Sequence, residues 1–196
     1  MEFGQPHLFD ARAAQLLDLS ELDRVNGSLH TLQIGADRSE PNTLFRLWPA
    51  DKVIWAYLAE VPRMAAGSDS FEVFTHIDYA VRFWPTIQVG PFDPKRFEEG
   101  FRNAMRLLAD SGRALEMNTR RLWSWIPQWW SEEGGRAVTF GSDALTCPAR
   151  WPRTSRKRWR WSSTMGFGRD GARRTSGHDK GRTASPLVVP IPALRG

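Results

Sequence analysis

The sequence predicts an α/β protein built around a parallel sheet, and three observations carry that expectation. Short apolar β-type runs alternate with helical stretches of ten or more residues through residues 1–143, the pattern of repeated βα units. Each β-type run turns polar at its C-terminal end, where the chemistry of parallel α/β folds collects. The composition then changes after Asp143. Residues 144–196 hold 12 of the 27 Lys+Arg and 2 of the 22 Asp+Glu, which leaves 15 basic and 20 acidic residues in an acidic body. The net charge of +5 is therefore an average over two unlike parts, a body over 1–143 and a basic tail over 144–196.

The elements follow in order. "DRVNGSLHT" (23–31) reads as a strand. "ADKVIWAYLAEVPRMAAGS" (50–68) is apolar at Val53, Ile54, Tyr57, Leu58 and Val61, a helical spacing, with Pro62 near its end. "FEVFTHID" (71–78) is a second strand. The clearest helix is "DPKRFEEGFRNAMRLLADSGR" (93–113). Asp93 is placed to cap it, Pro94 suits its first turn, and Phe97, Phe101, Met105 and Leu108 form its stripe, with Gly112 as the stop. "ALEMNTR" (114–120) and "RAVTFGSD" (136–143) are strands on either side of a short helix, "WIPQWWSEEGG" (125–135), whose tryptophans read as packing residues together with Trp123. The tail shows no sustained period and ends in "PLVVPIPALRG", too broken by proline for a helix, so it is expected to be mostly disordered.

Several function classes are excluded at this level. No run of about 18 apolar residues occurs, and the first twenty residues lack a basic and then apolar leader, so neither a membrane span nor a secretory signal is expected. Cys147 is the only cysteine and cannot form an internal disulfide, which makes a reducing cytoplasm the expected compartment; it lies in the tail and is assigned no catalysis.

His30, His76, Asn118, Arg120 and Asp143 stand at the C-terminal ends of the expected strands. Imidazoles and carboxylates delivered to one rim make a divalent-metal site, because such cations take mixed nitrogen and oxygen ligands. Spacing alone leaves other readings open. A histidine after a strand also serves as a hydrogen-bonded structural residue, Asp143 could cap a helix, and Glu2 by itself is an ordinary terminal carboxylate.

Four segments in this order, "NGSLHTL", "THIDYAVRFWP", "LEMNTR" and "EEGGRAVTFGSDA", together resemble the histidinol-phosphatase branch of the PHP (polymerase and histidinol phosphatase) superfamily. "EFGQPH" at the start is similar to the family's segment in which a strand-end glutamate bridges two metals. The resemblance covers residues 2–144. It implies a distorted (β/α)7 TIM-like barrel, partial in this chain, with up to three divalent ions (Zn, Mn or Fe). The implied activity is hydrolysis of a phosphate monoester, histidinol phosphate of L-histidine biosynthesis. It further implies that Glu2 is the bridging carboxylate, His30 and His76 imidazole ligands and Asp143 the late carboxylate ligand, with His76 and Asp143 at the reacting centre. Arg82 and Arg120 would hold the substrate phosphate, and His7 would stand at the substrate rim.

The chain departs from the family pattern in two places. The family's His-x-His pair and one further histidine would precede Glu2, and the motif Gly-Ser-Asp-x-His reads here Gly141-Ser142-Asp143-Ala144-Leu145. Read from the third base of each codon, "RWRWSSTMGFG" permits "AVAMVEHYGFR", an amphipathic segment, and the preceding residues permit a histidine just after the aspartate. The expectation is therefore a chain truncated at its N-terminus and translated out of frame from about Ala144, with impaired activity and a small phosphate ester as partner. The alternative is an inactive remnant or non-catalytic protein whose Arg/Trp tail binds nucleic acid through phosphate contacts and stacking. Because the frame argument already accounts for the tail, nucleic acid is not the expected partner, nor is a membrane.

Overall fold

A computed structural model describes residues 1–121, 123–141 and 189–190. Asp143, Cys147 and the Arg/Trp run of the tail lie outside the described residues.

Five parallel strands form the frame: β1 (Glu2–Gly4), β2 (Asn26–Ser28), β5 (Val73–Phe74), β6 (Ala114–Asn118) and β7 (Ala137–Gly141), adjacent in that order. The connections carry the helices α1 (Pro6–Ala13), α2 (Pro41–Leu44), α3 (Ala50–Gly67), α4 (Thr86–Val89), α5 (Glu98–Asp110) and α6 (Trp125–Glu132). A hairpin of β3 (Leu32–Ile34) and β4 (Asp37–Ser39) stands apart from the main sheet. At the far edge β8 (Val189–Pro190) pairs antiparallel with β7, so this point of the expected disordered tail is a strand. Its proline is tolerated because an edge strand needs only one side of its ladder. The architecture is mixed α/β with a mostly parallel sheet, as expected for the body.

The register explains why one face of this sheet is apolar and the other polar. Glu2 lies beside Asn26, Asn26 beside Val73 and Val73 beside Ala114, and side chains alternate along each strand. Phe74, Leu115, Met117 and Val138 therefore share the opposite face, and all are buried with the helices in a single core. The residues left on the polar face include Glu2, Ser28, Glu116, Asn118 and Thr139.

Helix α3 continues through Pro62, which removes one backbone hydrogen bond at a cost of roughly 3 kcal/mol. Val53, Ile54, Tyr57, Leu58, Val61 and Met64 are all buried, at about 1.5–3 kcal/mol for each large apolar side chain, and that burial outweighs the break. The stripe Phe97, Phe101, Met105 and Leu108 is fully buried. Asp93 accepts a hydrogen bond from the Lys95 N–H at 3.0 Å, and a 3-10 turn at Pro94–Phe97 opens into α5. Gly112 ends this stretch with φ at 75°, a conformation glycine adopts without cost. Gly100 lets α5 approach α3, since a Cβ there would strike Trp55 and Leu58. Trp125, Trp129 and Trp130 are buried, in line with a packing role.

Candidate metal centre

Glu2 opens β1, His30 lies two residues past β2, and His76 lies two residues past β5. The register of β1 and β2 sets Glu2 and His30 on the polar face by simple alternation. His76 does not follow that rule, because Phe74, two residues earlier, points into the apolar core. The backbone resolves this at His76 itself, whose φ is 55°, in the left-handed region that non-glycine residues rarely occupy. Two hydrogen bonds hold the kink: the buried Tyr57 hydroxyl donates to the His76 carbonyl at 2.8 Å, and the Tyr79 N–H donates to it at 2.7 Å.

The kink brings three side chains together. Glu2 Oε1 is 3.3 Å from His30 Nε2 and 3.6 Å from His76 Nε2. One ligand atom from each of Glu2, His30 and His76 lies within 4.8 Å of the others, a spacing that suits a shared cation. The two imidazoles stack at 5.8 Å between centroids with 13° between planes, and Tyr79 covers His30 at 4.6 Å. On its other side His76 Nδ1 is 3.1 Å from Glu116 Oε1.

The electrostatics fit this arrangement. Burial alone disfavours the imidazolium of His76, but hydrogen bonding to Glu116 and to Glu2 outweighs it and pushes the pKa up to about 9. Hydrogen bonding to His76 holds Glu2 down to about 2 against the opposing effect of burial. Unlike His76, His30 is lowered by burial, with Glu2 countering in part. A carboxylate and two imidazoles form a donor set that accepts zinc, manganese or iron, so the residues present fit a divalent ion.

The remaining expected site residues are placed as follows. Arg82 approaches Asp78 at 3.4 Å, lies over the Tyr79 ring, and lines a cleft of about 390 Å³ with Arg121, Trp84, Phe92 and Trp123. Arg120 is exposed, and its N–H bonds to the Asn118 side chain at 2.9 Å. His7 has a partner that the sequence did not suggest: its Nε2 is 3.0 Å from Glu60 on α3, and its side chain is only 7% exposed. Glu60 also pairs with Arg38 and Arg63. The carboxylate the sequence reading overlooked is Glu116. Its flanking residues, Leu115 and Met117, are both apolar, and that alternation was the signal that Glu116 faces away from the core.

No family model matches the chain. A curated protein named probable histidinol-phosphatase, from Clostridium acetobutylicum, is 27% identical over 152 residues, covering 74% of this chain and 58% of that protein. A solved structure, histidinol phosphate phosphatase from Lactococcus lactis subsp. lactis Il1403 complexed with zinc, L-histidinol and phosphate, superposes with a TM-score of 0.62. It is 23% identical, and the match covers 73% of this chain and 57% of that one. The chain thus spans a little over half the length of each. Parallel strands in this order, with helices on the apolar side and an acid–imidazole cluster on the polar side, give this chain a fold similar to that of the solved histidinol phosphate phosphatase.

Proposed function

We propose that this chain carries part of a metal-dependent phosphatase site for histidinol phosphate or a closely similar monoester. The observation that carries the reading is the convergence of the Nε2 atoms of His30 and His76 on Glu2 Oε1. The two similar proteins support it by name, and the solved one holds zinc, L-histidinol and phosphate. In this reading the sheet is part of a distorted (β/α)7 barrel whose lumen is the polar face. Residues 1–143 are the phosphatase part and 144–196 the basic tail, with Asp143 proposed as a further carboxylate ligand.

Bound divalent ions would supply a nucleophilic water of lowered pKa and neutralise phosphoryl charge. The chain's own residues do the rest. Glu2 offers a carboxylate with two oxygens, able to serve two ions at once. His30 and His76 supply neutral nitrogens, so His76 must give up its proton before it can ligate. Arg82, at the cleft, and Arg120 would take phosphate oxygens through their planar guanidinium donors. The resemblance implies a cluster of up to three ions, more than the three converging ligands here can hold, and we propose that turnover by this chain is correspondingly low.

The test is zinc uptake and phosphate release from L-histidinol phosphate by the metal-stripped chain, with Glu2→Gln and His76→Ala beside it. The reading expects zinc uptake by the wild type, loss of most of it in both variants, and hydrolysis that tracks metal content. Equal zinc uptake by all three folded proteins would sink it.

A further inference from the structure

We infer that Glu116 is a positioning residue for the metal centre, one that holds the His76 imidazole with its proton on Nδ1 and its Nε2 lone pair turned toward Glu2. This rests on the reading of Glu2, His30 and His76 as ligands. Glu116 touches the face of His76 that points away from the cluster: Nδ1 is 3.1 Å from Glu116 Oε1, while Nε2 is 3.6 Å from Glu2 Oε1. The group of converging ligand atoms contains Glu2, His30 and His76 but not Glu116, so this carboxylate stands behind the ring. A carboxylate that accepts from the second nitrogen of a ligating histidine fixes its tautomer and raises its basicity.

Two features of the chain serve this contact. Glu116 is central in β6, its neighbours Leu115 and Met117 are buried in the helix-facing core, and its side chain is only 10% exposed, so the strand gives it little freedom. Gly141 at the end of β7 supplies the space. A Cβ there would collide with all three atoms of the Glu116 carboxyl group, and its φ is not in the left-handed region. Gly141 is thus a glycine for the sake of its neighbour's carboxylate and not for its own conformation. His76 is then fixed twice over, at its carbonyl by Tyr57 and Tyr79 and at its ring by Glu116.

The experiment is a long-range proton–nitrogen NMR spectrum of the ¹⁵N-histidine-labelled, metal-free chain at high pH, where the imidazole is neutral, followed by cobalt(II) titration with visible absorption. In the wild type His76 should carry its proton on Nδ1. Glu116→Ala should shift the proton to Nε2, weaken cobalt(II) binding roughly 10–100-fold and alter the cobalt absorption bands. Glu116→Gln, whose carbonyl oxygen can still accept, should keep the Nδ1–H form and recover most of the affinity. Should Glu116→Ala not fold, Gly141→Ala displaces the same carboxylate and is expected to move the tautomer in the same direction. An identical His76 tautomer in the wild type and in the folded variant would overturn the inference. A wild type that takes up no cobalt while showing the expected tautomers would overturn the ligand reading and leave the Glu116 contact standing.

Discussion

Replacing Tyr57 by phenylalanine removes one oxygen and tests whether the kink at His76 is held as described. The Tyr57 ring is 1% exposed, and burial, reinforced by the nearby Asp78 charge, raises its pKa well above the ordinary value, so the hydroxyl is a neutral donor throughout any practical assay. It gives one hydrogen bond of 2.8 Å to the His76 carbonyl, and that carbonyl keeps a second partner in the Tyr79 N–H. The carbonyl is therefore not orphaned, and the loss should be that of one ordinary hydrogen bond, about 0.5–1.5 kcal/mol. The apolar ring stays buried, so no large cavity adds to this. For a chain of this size the melting temperature should fall by roughly 2–4 °C for 1 kcal/mol. If all of that energy supports the left-handed backbone of His76, zinc affinity should weaken by about two- to twelvefold. Differential scanning calorimetry of the metal-free chain and competitive zinc titration measure the two effects separately. A Tyr57→Phe protein with unchanged melting temperature and unchanged zinc affinity would refute the reasoning.

Three further predictions follow from the same geometry. Glu2→Gln keeps the size of the side chain but removes its charge, and should reduce zinc affinity by at least tenfold as read by competition with a chelating dye; an equal affinity would contradict the placement of Glu2 as a ligand. The metal-free chain should be most stable between about pH 4.5 and 6.5. His76, raised from 6.5 to about 9, stabilises fully below its unfolded value and loses this contribution as pH rises through 9, whereas Glu2, lowered from 4.5 to about 2, stabilises above 4.5 and loses it as pH falls through 2. Urea unfolding at a series of pH values checks this, and a flat profile from pH 6 to 9.5 in the metal-free protein would contradict the His76 assignment. Gly27→Ala should cost about 1–3 kcal/mol, because its Cβ would press on Phe71 and Met64 in the core; an unchanged urea midpoint would show that the core there yields freely.

The long periodic elements were legible in the sequence because their energetics are local to the pattern. The stripe of α5 and the apolar spacing of α3 report burial directly, and the structure buries those same residues. The strands over β2, β5, β6 and β7 were legible as apolar runs ending in polar residues. The hairpin of β3 and β4 was not, since "LQIGADRS" offers three residues a side and only Gly35, at φ 60°, marks the turn. Helix α1 was missed for a related reason: "PHLFDARA" has no apolar stripe, and only Pro6 of it is buried. Among the site residues, His30 and His76 were legible as candidates from their strand-end positions and Glu2 through the family resemblance, while their spacing in the sequence said nothing of their distances in space. His7 illustrates the converse. Its pairing with Glu60, 53 residues away, depends on how α1 packs on α3, which no local pattern encodes. Glu116 was hidden because its partner His76 reaches the polar face only through its left-handed backbone, which strand alternation does not foretell.

The measurement that tests the central claim most directly is anomalous diffraction at the zinc edge from crystals of the chain grown with zinc. The account predicts a peak between Glu2, His30 and His76, about 2.0–2.2 Å from a Glu2 carboxylate oxygen and from Nε2 of each imidazole. Zinc bound elsewhere, with no peak between Glu2 and the two imidazoles, would contradict it.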